Sequence, residues 1–272
     1  MKKQLRNILC LAMVIITVVA VATHGIADGE MAWNEELRAY MFATPHYGIV
    51  ICTQMNVRVQ PDTRAKSLGK IKNGQPIKVL GITEKSDFYI IDVQSCGINN
   101  TEEAQYGYIK SSLLKLDPAY IYSAKTLNLY STPWSVNREE QWYNAPKLKN
   151  GEQDNRYLLV IEQSDNWYAV QSSEDKPGTA FVRIKDVPIN NMPVIDPNTN
   201  GAYYYTPIKY VVTWEAPLLD AATKAQTNVV KKYTAGEMLY EDAEYIMLVF
   251  NKGMANEYRG LVNKLYLAPI IN

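Results

Sequence analysis

Apolar positions fall into one long run near the start of the chain and, beyond it, into many short segments separated by polar turns. The run covers residues 8–22, fifteen in a row without a charge. The short segments include Phe88-Tyr89-Ile90-Ile91-Asp92-Val93, Asn166-Trp167-Tyr168-Ala169-Val170 and Tyr245-Ile246-Met247-Leu248-Val249-Phe250. Aromatic and β-branched residues dominate them, and such side chains fit the pleated surface of a strand better than a helix. Residues 30–43 break the pattern. There Trp33, Leu37, Tyr40, Met41 and Phe42 recur at spacings of three to four, which predicts a short amphipathic helix packed on the β unit that follows.

The strand segments repeat in a fixed order. Met55-Asn56-Val57-Arg58-Val59-Gln60-Pro61 is matched by Leu127-Asn128-Leu129-Tyr130-Ser131-Thr132-Pro133, and more weakly by Val211-Val212-Thr213-Trp214-Glu215-Ala216-Pro217. A turn signal follows each: Lys72-Asn73-Gly74, Lys149-Asn150-Gly151 and Thr234-Ala235-Gly236, where Gly supplies a positive φ. Each copy closes on an apolar triplet: Gly107-Tyr108-Ile109 with Leu114, Ala180-Phe181-Val182 with Val187, and Gly260-Leu261-Val262 with Leu267. The distances from the Pro to this last anchor are 46, 47 and 43 residues.

The first copy resembles the bacterial SH3 (SH3b) family, whose members open on Asn-Val-Arg closing at Gly-Pro, pass a Lys-x-Gly turn and end in Gly-Trp-Val before a Leu. Here Gln60 stands for the Gly and Tyr108 for the Trp. Copies two and three match progressively less well. The resemblance implies an all-β chain of three small SH3-like barrels in tandem. Short strands with intervening turns point independently to all-β architecture.

Boundaries follow from composition. Residues 1–27 read as a signal peptide, 28–46 as an extension, 47–116 and 117–188 as the first two units, 189–205 as a linker rich in Pro and Asn, and 206–272 as a divergent third unit. Asp117-Pro118 makes the first joint short and stiff.

Lys2, Lys3 and Arg6 ahead of the apolar run, with Gly25 and Ala27 before a cut after Ala27, are the marks of a secretory signal. Fifteen residues are fewer than the ~20 a spanning helix needs. An exported chain, secreted or wall-associated and free of the membrane once cut, is therefore expected, with an uncleaved membrane anchor as the alternative. Removing the leader turns 28 basic against 28 acidic residues into 25 against 28. That balance excludes nucleic acid as a partner class, because phosphate binding draws on a surplus of Lys and Arg. Export also makes a Cys52–Cys96 disulfide available, two buried reduced thiols being the alternative.

Catalytic chemistry has little to work with. The exported chain keeps one histidine, His46, six residues from Cys52, and the copies and linkers leave no room for a separate hydrolase domain. One His and two distant Cys make no zinc set, and Glu241, Asp242 and Glu244 lack the alternation of a calcium loop. No enzyme, metal or cofactor is expected.

Surface recognition remains. Tyr130, Trp134, Trp142 and Tyr143 gather in copy two, where aromatics can floor a groove or stack on sugars. Arg58, Tyr130 and Trp214 align across the three copies at a position that alternation turns away from the core. These six are the candidate ligand residues. By resemblance, the expected partner is the peptide or glycan of cell-wall peptidoglycan; the alternative is another envelope protein, with the chain as an adaptor.

Overall fold

The computed structural model describes residues 31–98, 104–123, 127–130, 157–171, 178–188, 192–195, 202–205 and 208–271. The predicted signal peptide and the candidates Trp134, Trp142 and Tyr143 lie outside them. Among the described residues the fold is all-β, with four single-turn 3-10 segments and no α-helix.

The first sheet contains β1 (Met31–Asn34), β2 (Ala39–Val50), β3 (Gln54–Arg58), β4 (Ser67–Lys72), β5 (Pro76–Thr83), β6 (Phe88–Asp92), β7 (Tyr106–Lys110) and β8 (Leu114–Leu116). Its order is β1-β2-β5-β6-β7-β3-β4, with β8 also on β2. Alternation along these strands sends Val50, Met55, Val57, Ile71, Ile77, Val79, Ile91 and Ile109 into one core.

The helix predicted over 30–43 is instead the β1–β2 hairpin. A tight turn generates the same three-to-four spacing when it folds two alternating strands back on one another. Asn34 Oδ1 accepts the Leu37 amide at 2.9 Å, and Arg38 takes a left-handed φ of 47°. Trp33 then lies opposite Tyr40, their ring centroids 5.0 Å apart. The hairpin covers a second face of the sheet, where Ala39 packs with Phe88, Ile90 and Tyr108. Gly81 permits this approach, since a Cβ there would sit 2.5 Å from the Tyr40 carbonyl oxygen.

The second segment supplies β9 (Ala119–Tyr122), β10 (Tyr157–Gln163), β11 (Trp167–Gln171) and β12 (Thr179–Arg183). With Leu127 and Leu129 they bury Ile121, Leu158, Val160, Val170 and Val182 in a core of their own. Within the predicted linker, β13 (Met192–Ile195) pairs antiparallel with β14 (Ala202–Tyr205).

The third segment contains β15 (Lys209–Val212), β16 (Ala216–Leu219), β17 (Gln226–Val230), β18 (Ala235–Glu241), β19 (Tyr245–Phe250), β20 (Tyr258–Asn263) and β21 (Leu267–Ile270), around Val212, Leu218, Leu248, Phe250 and Val262. Two expectations fail here. The turn predicted at Gly236 is made by Tyr233, at φ 63°, while Gly236 lies within β18, where a Cβ would meet the Phe250 ring at 2.9 Å. The pairing register is displaced as well. Arg58 faces Tyr108, Tyr130 faces Phe181, and the corresponding partner of Leu261 is Leu219, not Trp214. Residues 211–217 resemble the first-copy motif mainly through their Pro, whereas core alternation sets the register.

The segments meet at a shared cluster of Ile49, Tyr120, Leu159, Val211 and Ala268. Each neighbours a residue buried in its own segment's core: Val50, Ile121, Leu158, Val212 and Leu267 respectively. A strand sends successive side chains to opposite faces, so these strands are apolar on both. β9 and β21 pair in parallel at Tyr120 and Ile270, joining the second and third segments into one eleven-stranded sheet.

Candidate functional site

The first segment holds a groove of about 640 Å³ whose floor is Phe88 and Tyr108. Its walls are the hairpin turn with Glu36, Leu37 and Arg38, the Gln60-Pro61-Asp62 loop, and the Thr83–Asp87 turn. Local chemistry shapes each wall. Asp62 accepts the Arg64 amide at 2.7 Å, curling the β3–β4 loop. The Ser86 amide donates to the Thr83 carbonyl at 2.8 Å, and Ser86 takes φ 56° to close the other turn.

Four carboxylates, Glu36, Asp62, Glu84 and Asp87, face two cations, Arg38 and Lys85, around the rim. Among the described residues none of the six is in an ion pair. The rim therefore presents uncompensated negative charge above an aromatic floor. Burial raises the Tyr108 hydroxyl above the ordinary phenol range, so it stays a neutral donor and acceptor. This arrangement suits a peptide or amine-bearing ligand with an apolar portion.

The candidates read from sequence are dispersed. Arg58 is half-buried, and its Nη1 donates to the Ala65 carbonyl at 2.6 Å, holding the β3–β4 loop that walls the groove. Tyr130 turns away from its core as alternation requires, yet it is only 4% exposed because Trp167 and Arg183 cover it. Trp214 lies in the β15–β16 connection with Lys232 Nζ 5.5 Å from its ring centroid. The groove residues Phe88, Glu84, Asp87 and Glu36 escaped sequence reasoning. Tyr108, standing where the family motif has Trp, was the available signal.

His46 Nδ1 and Asp117 Oδ2 are 2.8 Å apart, and the Phe42 ring lies 4.6 Å from the imidazole. Cys52 and Cys96 carry free thiols beside one core. Burial pushes the Cys52 thiol up and the Cys96 thiol up to about 12, the direction opposite to nucleophile activation. No group of three or more His, Cys, Asp or Glu side chains disposed to hold a metal occurs among the described residues.

Residues 53–115 match the bacterial SH3 domain family. This is the stretch that contains β3 to β7 and most of the groove. No curated protein matches the chain. Solved structures that it resembles include NlpC2 from Trichomonas vaginalis, at 11% identity and TM-score 0.21, covering 84% of this chain and 99% of that one. NlpC1 from the same organism has 9% identity and TM-score 0.21, covering 90% and 99%. At those TM-scores the likeness carries no structural argument.

Proposed function

We propose that this is an exported, non-enzymatic binding protein of three tandem SH3-like units, and that the first unit's groove takes a cationic peptide segment of a cell-envelope ligand. Peptidoglycan peptide is the ligand class this reading favours. The observation that carries it is the acid-rimmed groove whose aromatic floor, Phe88 and Tyr108, lies in the stretch that matches the bacterial SH3 domain. Three units fused through one apolar junction would hold several weak sites at set distances, and linked sites add by avidity.

The test is sedimentation of the chain from Asp28 onward with purified peptidoglycan, before and after removal of anionic polymers, at low and high salt. Retention on the stripped wall that weakens severalfold in E84Q/D87N supports the groove. Equal retention of the double variant rejects it.

A second reading, the adaptor, draws on β17. This strand ends the eleven-stranded sheet with Thr227, Asn228 and Val229 exposed, so its outer edge can add a strand from a protein partner. An envelope protein that stays bound after complete wall digestion would favour it.

A further inference from the structure

The second segment holds a concavity of opposite character. It measures about 430 Å³ and is lined by Asp165, Asn166, Trp167, Arg183, Ile184 and Lys185. Trp167 and Arg183 face each other across the β11–β12 register. The Arg183 guanidinium carbon lies 5.3 Å from the Trp167 ring centroid and 5.0 Å from that of Tyr130, and the two rings meet nearly edge to face at 5.3 Å.

Backbone hydrogen bonds underlie this arrangement. Tyr130 and Phe181 exchange both backbone hydrogen bonds at 2.9 Å, and the Ile184 amide donates to the Asn166 carbonyl at 3.0 Å, tying together the two turns that flank the concavity. Two aromatic rings thus hold the guanidinium in place. Among the described residues the Arg183 side chain makes no hydrogen bond or ion pair, and Lys185 and Asp165 form no ion pair across the concavity. A guanidinium already ordered by stacking loses little further freedom on gripping an anion.

The other segments do not repeat the device. Phe88 faces Lys110 in the first; Tyr245 faces Asn263 in the third, and that Asn already accepts the Leu265 amide at 2.9 Å.

We infer that Arg183, backed by Lys185 and set against the Tyr130 and Trp167 rings, is a binding site for a carboxylate attached to a small apolar or sugar group. The planar fork matches a carboxylate in two parallel hydrogen bonds. Asp165 on the rim sets the preference for one negative charge over the two of a phosphate. The exposed part of the Trp167 face receives the group beside the carboxylate. The peptide C-terminus and the sugar acid are the two sources of such a carboxylate. This inference does not rest on the first-segment groove, and neither residue of the E84Q/D87N variant touches it.

The test is an NMR titration of the tryptophan indole N–H signals in the chain from Asp28 onward, with the Trp167 signal assigned by Trp167→Phe. The probes are acetyl-Ala-Ala as free acid, the same dipeptide as C-terminal amide, N-acetylmuramic acid and inorganic phosphate. The site predicts a saturable shift of the Trp167 signal with at least one of the two acids, and binding weaker by about tenfold or more for the dipeptide amide or in Arg183→Gln. A response to the dipeptide acid identifies a peptide terminus, and a response to the muramic acid alone identifies a sugar acid. Lys185→Gln, at an exposed position, should weaken binding about two- to fivefold with the fold intact, and it serves as the charge variant should Arg183→Gln unfold. Equal response to acid and amide, tighter binding of phosphate, or no shift with any probe overturns the assignment.

Discussion

Tyr233 occupies in the third segment the place that Gly74 holds in the first. The Gly74 amide donates to the Val50 carbonyl at 2.9 Å and the Tyr233 amide to the Val212 carbonyl at 2.7 Å, from left-handed φ values of 75° and 63°. An aromatic residue at positive φ is held there against its local preference, at a cost on the order of 1–3 kcal/mol. Its ring identifies what holds it. It stacks on Tyr157 at 6.0 Å with planes 6° apart, and lies 6.4 Å from Tyr120 at the junction of the segments.

Tyr233→Gly relieves the backbone and loses the ring. The lost packing is expected to dominate, lowering stability by about 1–3 kcal/mol, whereas Tyr233→Phe stays within about 1 kcal/mol of the parent. Thermal unfolding followed by circular dichroism decides it. A glycine variant as stable as the parent would show that the junction ring contributes nothing.

The shared cluster should make the segments unfold together. Ile49→Ala removes a fully buried side chain at that junction and is expected to cost about 2–5 kcal/mol. Calorimetry should then resolve more than one transition where the parent shows a single one. A single, merely shifted transition would place the cooperativity elsewhere.

Arg58→Met removes the hydrogen bond to the Ala65 carbonyl and should release the β3–β4 loop. Charge-assisted bonds of this kind contribute about 1.5–3 kcal/mol, less where solvent competes, as it does at this half-buried site. Faster amide exchange at Val59 and Ala65, with exchange in β5 and β6 unchanged, is the expected pattern. Unaltered loop exchange would mean that Arg58 is free to meet ligand directly.

The buried Cys96 thiol makes a pH prediction. Its pKa stands at about 12 in the fold against an ordinary 9.0, because burial disfavours the thiolate. The unfolded chain therefore releases this proton first as pH rises. The corresponding stability is complete below pH 9 and declines above it, by at most about 1.4 kcal/mol per pH unit. Urea unfolding between pH 9 and 10 should show the decline and lose most of it in Cys96→Val. Cys96 should react with a thiol reagent far faster in denaturant than in the folded chain, and the half-buried Cys52 should gain less.

Local chemistry made much of this protein legible in advance. Aromatic and β-branched runs in Phe88–Asp92, Trp167–Gln171 and Tyr245–Phe250 identified strands, and Gly74 identified its turn, since both follow from short-range sterics. The motif around Asn56-Val57-Arg58 was enough to resemble the bacterial SH3 domain that residues 53–115 match. The hairpin of residues 31–50 was misread because a helix and a tightly folded ribbon share one spacing, and only the contact of Trp33 with Tyr40 separates them.

What no local rule contained was the use of the second face of each strand. Ile49, Tyr120 and Val211 looked like ordinary strand residues; that they meet in one cluster depends on how three segments dock, a matter of long-range packing. The same packing places a tyrosine where a glycine was expected and sets the third-segment register by its core. It also brings Glu36, Asp62 and Glu84, far apart in the chain, around one aromatic floor. Strand identity and turn chemistry were thus the sequence's own contribution, because they depend on neighbours a few residues away. Junction, register and site were decided by the tertiary structure, because they depend on side chains that only the folded chain brings together.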